Sequence, residues 1–216
     1  MNRKTCLISS MLCFPEKRLS YSVRRSVFSP EQRLEQTLQT IDSVRRKIPA
    51  CQVVLVEMGQ VGQETYLMDT LREAADKIIV VGNKRLVRCA CDSRHKGLGE
   101  AAGLLAAGHR LRHLGDYYFK LSGRYFLDDD FRLEKWSGHS FTVRMYDRAI
   151  STRLYGFPTE LFDTWRRALW LSLPWLSLGR GLEHEMYRHL PKSETLDIGV
   201  LGISGLVAPD GTALKE

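Results

Sequence analysis

Apolar and polar positions alternate along this chain between two periods, one of strands and one of helices. Thr5–Leu12 (TCLISSML) is a short apolar run bounded by polar residues, which predicts a buried strand. After a loop rich in Arg, Ser and Tyr, Ser29-Pro30-Glu31-Gln32 supplies an N-cap, a proline at the first helical position and a capping-box Gln. Leu34, Leu38, Ile41, Val44 and Ile48 continue at helical spacing, so a helix is expected to about Lys47, with Pro49 as its stop. Gln52–Glu57 (QVVLVE) is continuous and β-branched, as in a parallel strand covered on both faces. Gly59 and Gly62 then loosen the chain, a helix is expected over Thr65–Ala75, and Lys77–Val81 (KIIVV) is the next strand. Gly97–His113 reads as a helix with Leu98, Ala101, Leu105 and Leu111 as its core stripe. Asp116–Leu121 (DYYFKL) reads as a strand that ends in Ser122-Gly123-Arg124.

The second half has more antiparallel character. Ser140–Met145 and Ile150–Tyr155 look like strands with Asp147-Arg148 as the turn between them. Thr159–Trp170 looks helical after Pro158, Glu183–Leu190 is a short helix, Leu196–Ile203 a strand, and Pro209-Asp210-Gly211 a terminal turn. Strands alternating with helices predict an α/β, Rossmann-like fold with a mostly parallel sheet flanked by helices and a small antiparallel part towards the end. With no internal repeat, linker or low-complexity stretch, one domain over 1–216 is expected. In such sheets ligands bind beyond the carboxyl ends of the strands. Here those ends carry Ser9 and Ser10, with Arg24 and Arg25 beyond, and Glu57 on the next strand.

Composition narrows the classes. The 216 residues are 44% hydrophobic and 26% charged, the balance of a globular chain. No apolar run reaches the roughly 18 residues a spanning helix needs. The start, MNRKTCLISSML, is too short and polar in its apolar part for a signal peptide and fits a first strand. The five cysteines are odd in number, and Cys89-Ala90-Cys91 is too tight for a zinc pair, which suits free thiols in a reducing cytoplasm. The net charge of +7 suits an anionic partner: a nucleotide diphosphate, an acidic membrane surface or nucleic acid. With no Lys/Arg block and no nucleic-acid motif, nucleic acid is disfavoured.

The segment with most chemical content is His95–Leu127, HKGLGEAAGLLAAGHRLRHLGDYYFKLSGRYFL. Lys96-Gly97-Leu98-Gly99-Glu100-Ala101-Ala102 is a glycine-containing turn leading into an Ala-rich helix. Gly115-Asp116-Tyr117-Tyr118 then introduces the apolar strand Phe119-Lys120-Leu121. In that order and spacing the segment resembles the GT-A glycosyltransferases, and the resemblance extends over roughly residues 5–135. It implies a single GT-A domain with a nucleotide-binding part over about 1–135 and an acceptor and catalytic part over about 136–216. It also implies a nucleotide-sugar donor and a glycan or lipid-linked acceptor.

Where that family places Asp-x-Asp, this chain has Ser122-Gly123-Arg124, and the segment is similar to the Lys-x-Ser/Thr-Gly-Arg-Tyr of small capsule- and virus-type enzymes. An arginine cannot bind Mg²⁺ or Mn²⁺, but a bidentate clamp on phosphate can do the metal's electrostatic work. Arg124, helped by Lys120 or Lys96, is therefore a candidate to stabilise a leaving nucleotide. The alternative is a β-turn in which Gly123 supplies a positive φ and Arg124 is solvated. Asp128-Asp129-Asp130 holds a displaced Asp-x-Asp, so Asp128 and Asp130 are the metal candidates, against a solvated acidic turn. Gly97–Glu100, with Gly99, can meet phosphate at a helix start, or simply allow a tight helix entry. Ser9, Ser10, Glu57 and Ser122 complete the donor-binding candidates, Glu57 towards base or ribose.

Glu183-His184-Glu185 opens a late helix, where GT-A enzymes often keep the base that deprotonates the acceptor hydroxyl. Glu183 is preferred to Glu185, and N-terminal helix charge explains the pair equally well. Trp165, Trp170 and Trp175 lie among arginines and offer an acceptor wall or a peripheral contact with the inner face of a membrane, against plain core. The function expected is a cytoplasmic glycosyltransferase of surface-glycan synthesis. The rivals are a sugar nucleotidyltransferase and a non-enzymatic basic module binding RNA or anionic lipid.

Overall fold

The structure is a computed structural model that describes residues 3–15, 17–60, 65–136 and 138–216. Met1, Asn2 and Gly62 lie outside the described residues. Four parallel strands form the first half of the main sheet: β1 (Lys4–Ser10), β2 (Gln52–Glu57), β3 (Lys77–Val80) and β4 (Tyr117–Ser122). Between them run α1 (Pro30–Lys47), α2 (Thr65–Ala74), α3 (Arg85–Cys91) and α4 (Lys96–Leu111). A short strand β5 (Tyr125–Leu127) follows, then β6 (Phe141–Val143), the hairpin β7 (Met145–Tyr146) and β8 (Ala149–Ile150), and β9 (Leu154–Pro158). Helices α5 (Phe162–Ser177) and α6 (Leu182–His189) precede β10 (Thr195–Asp197), β11 (Ile203–Leu206) and β12 (Ala213–Lys215).

The main sheet has seven strands in the order β10-β6-β9-β4-β1-β2-β3, with β9 antiparallel to both its neighbours. It is the mixed α/β arrangement expected, with small antiparallel sheets beside it. The chain steps from β1 to β2 and β3 on one side, and β4 then returns to the other side of β1. That reversal opens a crevice between the ends of β1 and β4, where Ser9 stands opposite Ser122.

Period-two alternation divides the strands between two cores. Leu7, Val54, Val56 and Tyr118 face α4 and α5, while Cys6, Ile8, Val53, Leu55, Phe119 and Leu121 belong to the core shared with α1. Ser9, Lys120 and Ser122 continue the parity of Leu7 and Tyr118, which aims all three at the α4 side. The capping box at Ser29 forms as expected, with Gln32 returning its side chain to the Ser29 backbone.

Several expectations are corrected. On α4, Leu104 and Ala107 are fully buried beside Ala101 and Leu111, whereas Leu98 and Leu105 are only partly buried. The helix after Pro158 runs past Trp170 to Ser177 even though Pro174 lies inside it. Trp170 is largely exposed, so the carbonyl that Pro174 cannot donate to can meet water. The expected strand Leu196–Ile203 is two strands in two sheets, because Gly199 and Gly202 take φ of 70° and 72° and turn the chain between them. Helix α3 carries no side-chain cap and had no strong signal in the sequence. None of the five cysteines is in a disulfide.

Candidate active site

The crevice opens into two adjoining cavities, of about 100 Å³ and about 300 Å³, which share Lys96, Glu100, Ser122 and Arg124 in their walls. Ser9, Ser10, Arg33 and Gly99 line the smaller, and Arg153, Arg180 and Glu183 line the larger. The topology thus brings together residues from β1, α1, α4, the β4–β5 turn and α6.

Arg124 is placed by a tight turn between β4 and β5. Gly123 does not take a positive φ there, contrary to the turn alternative. Its need is space: an added Cβ would stand 3.2 Å from both Ile8 Cγ2 and Thr37 Oγ1, and 3.3 Å from the Ser9 carbonyl oxygen. The Gly123 amide donates to the Ser9 carbonyl at 2.9 Å and its carbonyl accepts from Thr37 Oγ1 at 3.1 Å, locking the turn to β1 and α1. Arg124 lies over the Tyr125 ring, 5.4 Å from its centroid, and its buried Nη1 has no hydrogen-bond partner.

Lys96, at the first position of α4, forms no ion pair among the described residues. Burial and then the positive charge of Arg124 push its pKa down to about 7, with Glu100 opposing them, Arg33 adding to them and Glu183 opposing in turn. Burial and Arg124 likewise lower Arg33 to about 9, with its guanidinium near the Met11 carbonyl and Gln36. His95 caps α4 without a side-chain hydrogen bond, so the positive end of the helix opens towards the cavity lined by Lys96 and Gly97. Gly97 and Gly99 also serve packing: a Cβ would meet Leu182 Cβ at 3.0 Å and the Cys91 backbone at 3.0 Å respectively. Mutually repelling, underpartnered cations at a helix start form a site suited to an anion with several charges.

Lys120 does not reach the cavities. It is fully buried and donates to Glu100, to Ser122 Oγ at 3.0 Å and to the Thr152 carbonyl at 2.6 Å. Glu57 is also buried. Its Oε1 accepts from the amides of Leu12 at 3.0 Å and Gly59 at 2.7 Å, so it braces the two loops and lines neither cavity. Burial raises its pKa, with those amides and Ser10 opposing.

The two late carboxylates part company. Glu183 lines the larger cavity and accepts from Thr152 Oγ1 at 3.0 Å. Glu185 turns into the protein, 1% exposed, beside Arg180 and His189 at 3.4 Å each. The tryptophans also separate. Trp165 is a core residue whose Nε1 donates to Tyr155 Oη at 2.9 Å, which leaves it no surface to offer an acceptor or a membrane. Trp170 is 64% exposed, and Trp175 is held between Arg180 and Arg188.

Asp128 accepts from Ser204 Oγ and from the Asp130 amide, Asp130 pairs with Lys215 at 2.8 Å, and neither lines the cavities. Among the described residues no group of three or more His, Cys, Asp or Glu side chains is gathered to hold a metal. The residues present therefore do not fit an Asp-x-Asp metal site. No described helix is long and apolar enough to cross a membrane.

Arg33, Arg153 and Arg180 were not foreseen. For Arg33 a signal existed, since it shares a helical stripe with Thr37, Ile41 and Val44, all buried. Arg153, which donates to Tyr125 Oη and to Glu216, had none.

No family model matches the sequence, and no curated protein matches it. Among solved structures, an active-site mutant of LgtC superposes with a TM-score of 0.55 at 10% identity, covering 89% of this chain and 72% of that one. The galactosyltransferase LgtC in complex with donor and acceptor sugar analogues superposes with a TM-score of 0.52 at 12% identity, over the same shares. At such identity the likeness concerns the fold, which is of the GT-A type.

Proposed function

We propose that this chain is a glycosyltransferase that moves a sugar from a nucleotide-sugar donor to a glycan or lipid-linked acceptor. The observation that carries the reading is the meeting of Lys96, Arg33 and Arg124, whose buried Nη1 has no hydrogen-bond partner, at the β1/β4 switch point, beside the open start of α4. The fold shared with LgtC, which has been seen with donor and acceptor sugar analogues, adds support.

In this reading Arg124 and Lys96 receive the diphosphate, and Ser9, Ser10 and Ser122 offer hydroxyls around it. As the bond from the sugar's C1 to the diphosphate breaks, negative charge grows on the leaving oxygen, and the cations are already aimed there. In an inverting transfer Glu183 takes the proton from the acceptor hydroxyl as it attacks C1. Glu183 suits this because its carboxylate opens to the larger cavity, whereas Glu185 is buried and lines neither cavity. The exposed residues Arg167, Trp170 and Pro174 of α5, with Leu178 just beyond its end and Arg180 of the larger cavity two residues further, offer a face for a lipid-linked acceptor at the cytoplasmic side of a membrane.

A thermal-shift panel of UDP, GDP, CMP and dTDP, each with and without Mn²⁺, tests the reading, since a ligand of the native state must raise the midpoint. We expect a response to one nucleotide that does not need Mn²⁺. No response to any nucleotide sinks the enzyme reading. A response to all polyanions alike, steeply dependent on salt, fits a binding module instead.

A further inference from the structure

The cavities are cationic on most sides, yet besides Glu183 in the larger one a carboxylate is shared by both. Glu100 lies four residues beyond Lys96 on α4, so the two side chains share a helical face, and both line both cavities. Its Oε1 accepts from Ser9 Oγ at 3.1 Å and from Lys120 Nζ. Lys120 is itself pinned by Ser122 and the Thr152 carbonyl, so the carboxylate is held in one orientation. Burial alone would raise its pKa, but Lys120, Lys96 and Ser9 together outweigh that and hold it below the usual carboxylate range. Its Oε2 has no hydrogen bond from a described residue and is not sealed from the cavity; the side chain stays 19% exposed.

An ionised carboxylate only accepts hydrogen bonds, so whatever completes Oε2 must be a donor. A phosphate is repelled there. In a nucleotide sugar bound with its phosphates on Lys96 and Arg124, the part next to the phosphate is the sugar, which carries hydroxyl donors.

We infer that Glu100 is a specificity-determining residue for the donor sugar: its free oxygen accepts a hydrogen bond from a sugar hydroxyl while Lys96, one turn away, holds the adjoining phosphate. This inference rests on the nucleotide-sugar reading above. Lys120 is then a positioning residue, acting through Glu100.

The test is titration calorimetry of wild type and E100Q with UDP and UDP-galactose, and in parallel with GDP and GDP-mannose. For the pair that binds, E100Q should weaken the sugar nucleotide by about 10- to 100-fold, the range for a hydrogen bond to a charged group, while the free diphosphate changes by less than about threefold. Equal loss for both ligands overturns the inference, because Glu100 would then only balance the charge of Lys120 and Lys96. No loss for either also overturns it. Should E100Q fold poorly, E100D keeps the charge that Lys120 needs and shortens the reach, and it should give the same selective loss with an unchanged melting temperature. A donor whose sugar lacks the bonded hydroxyl should bind wild type more weakly and lose nothing further in E100Q. If wild type binds none of UDP, GDP, CMP and dTDP, the enzyme reading falls and takes this inference with it, an outcome distinct from selective failure at Glu100. If only CMP or dTDP binds, the same comparison is made with that nucleotide and its sugar nucleotide.

Discussion

Replacing Arg124 by glutamine should separate binding from stability in opposite directions. In the free protein Arg124 helps to depress both Lys96 and Arg33, second only to burial in each case. Removing it relieves that repulsion, so the unliganded midpoint should hold or rise, within the about 0.5 kcal/mol usual for a substitution away from the core. Binding should suffer. A hydrogen bond to a charged group contributes about 1.5–3 kcal/mol, so losing the clamp should weaken nucleotide-diphosphate binding by roughly 100-fold. At a ligand concentration near 100 times the wild-type Kd the bound state gains about 2.7 kcal/mol, and in R124Q at the same concentration only about 0.4 kcal/mol. For a chain of this size each kcal/mol moves the midpoint by about 2–4 °C, so a ligand shift of about 5–11 °C should shrink to about 1 °C. Differential scanning fluorimetry with and without the responding nucleotide reads both quantities. A nucleotide shift of wild-type size in R124Q would refute the clamp, and a large fall in the unliganded midpoint would refute the idea that Arg124 waits for a ligand.

The lowered Lys96 gives a pH signature. Its pKa of about 7 lies below the ordinary lysine value of 10.5, so between those limits the unfolded chain binds more protons and stability should rise with pH across that window, as urea titrations would measure. Nucleotide binding should take up a proton near neutrality and weaken above it, visible as a buffer-dependent enthalpy. Glu183→Gln should fold and bind nucleotide normally while turnover drops by about 10²–10⁴-fold in a product assay; wild-type turnover removes it as the base. Glu185→Ala should instead cost about 1–3 kcal/mol of stability, because a buried carboxylate and its hydrogen bond from Arg180 are lost, with nucleotide affinity kept. Gly123→Ala should destabilise by about 1–3 kcal/mol, because Ile8, Thr37 and the Ser9 carbonyl all stand against the new methyl; an unchanged midpoint would show that the turn can relax.

Most regular elements of the first half were legible because their causes are local. The Ser29 capping box, the stripe Leu34, Ile41 and Val44, and the β-branched run Gln52–Glu57 act within a few turns or one strand, and burial of their apolar faces leaves little choice of period. The weaker elements were lost for the complementary reason. Helix α3 has seven residues and no side-chain cap, and Leu196–Ile203 was divided by two glycine conformations that no pattern of hydrophobicity encodes.

By itself the sequence determined the alternation of strands and helices, the capping of α1 and the presence of Arg124 at the end of an apolar strand. It could not say which charges would meet. Lys96 and Arg33 lie over sixty residues apart, and both acquire lowered pKa values first because the fold buries them and next because β4 returns beside β1 and brings Arg124 to them. In the same way Lys120 and Glu57, which as residue types belonged to a binding site, were taken into the interior by strand parity and loop bracing. Desolvation and Coulomb repulsion depend on distances across the fold, not along the chain, so the character of the site was fixed by the tertiary structure.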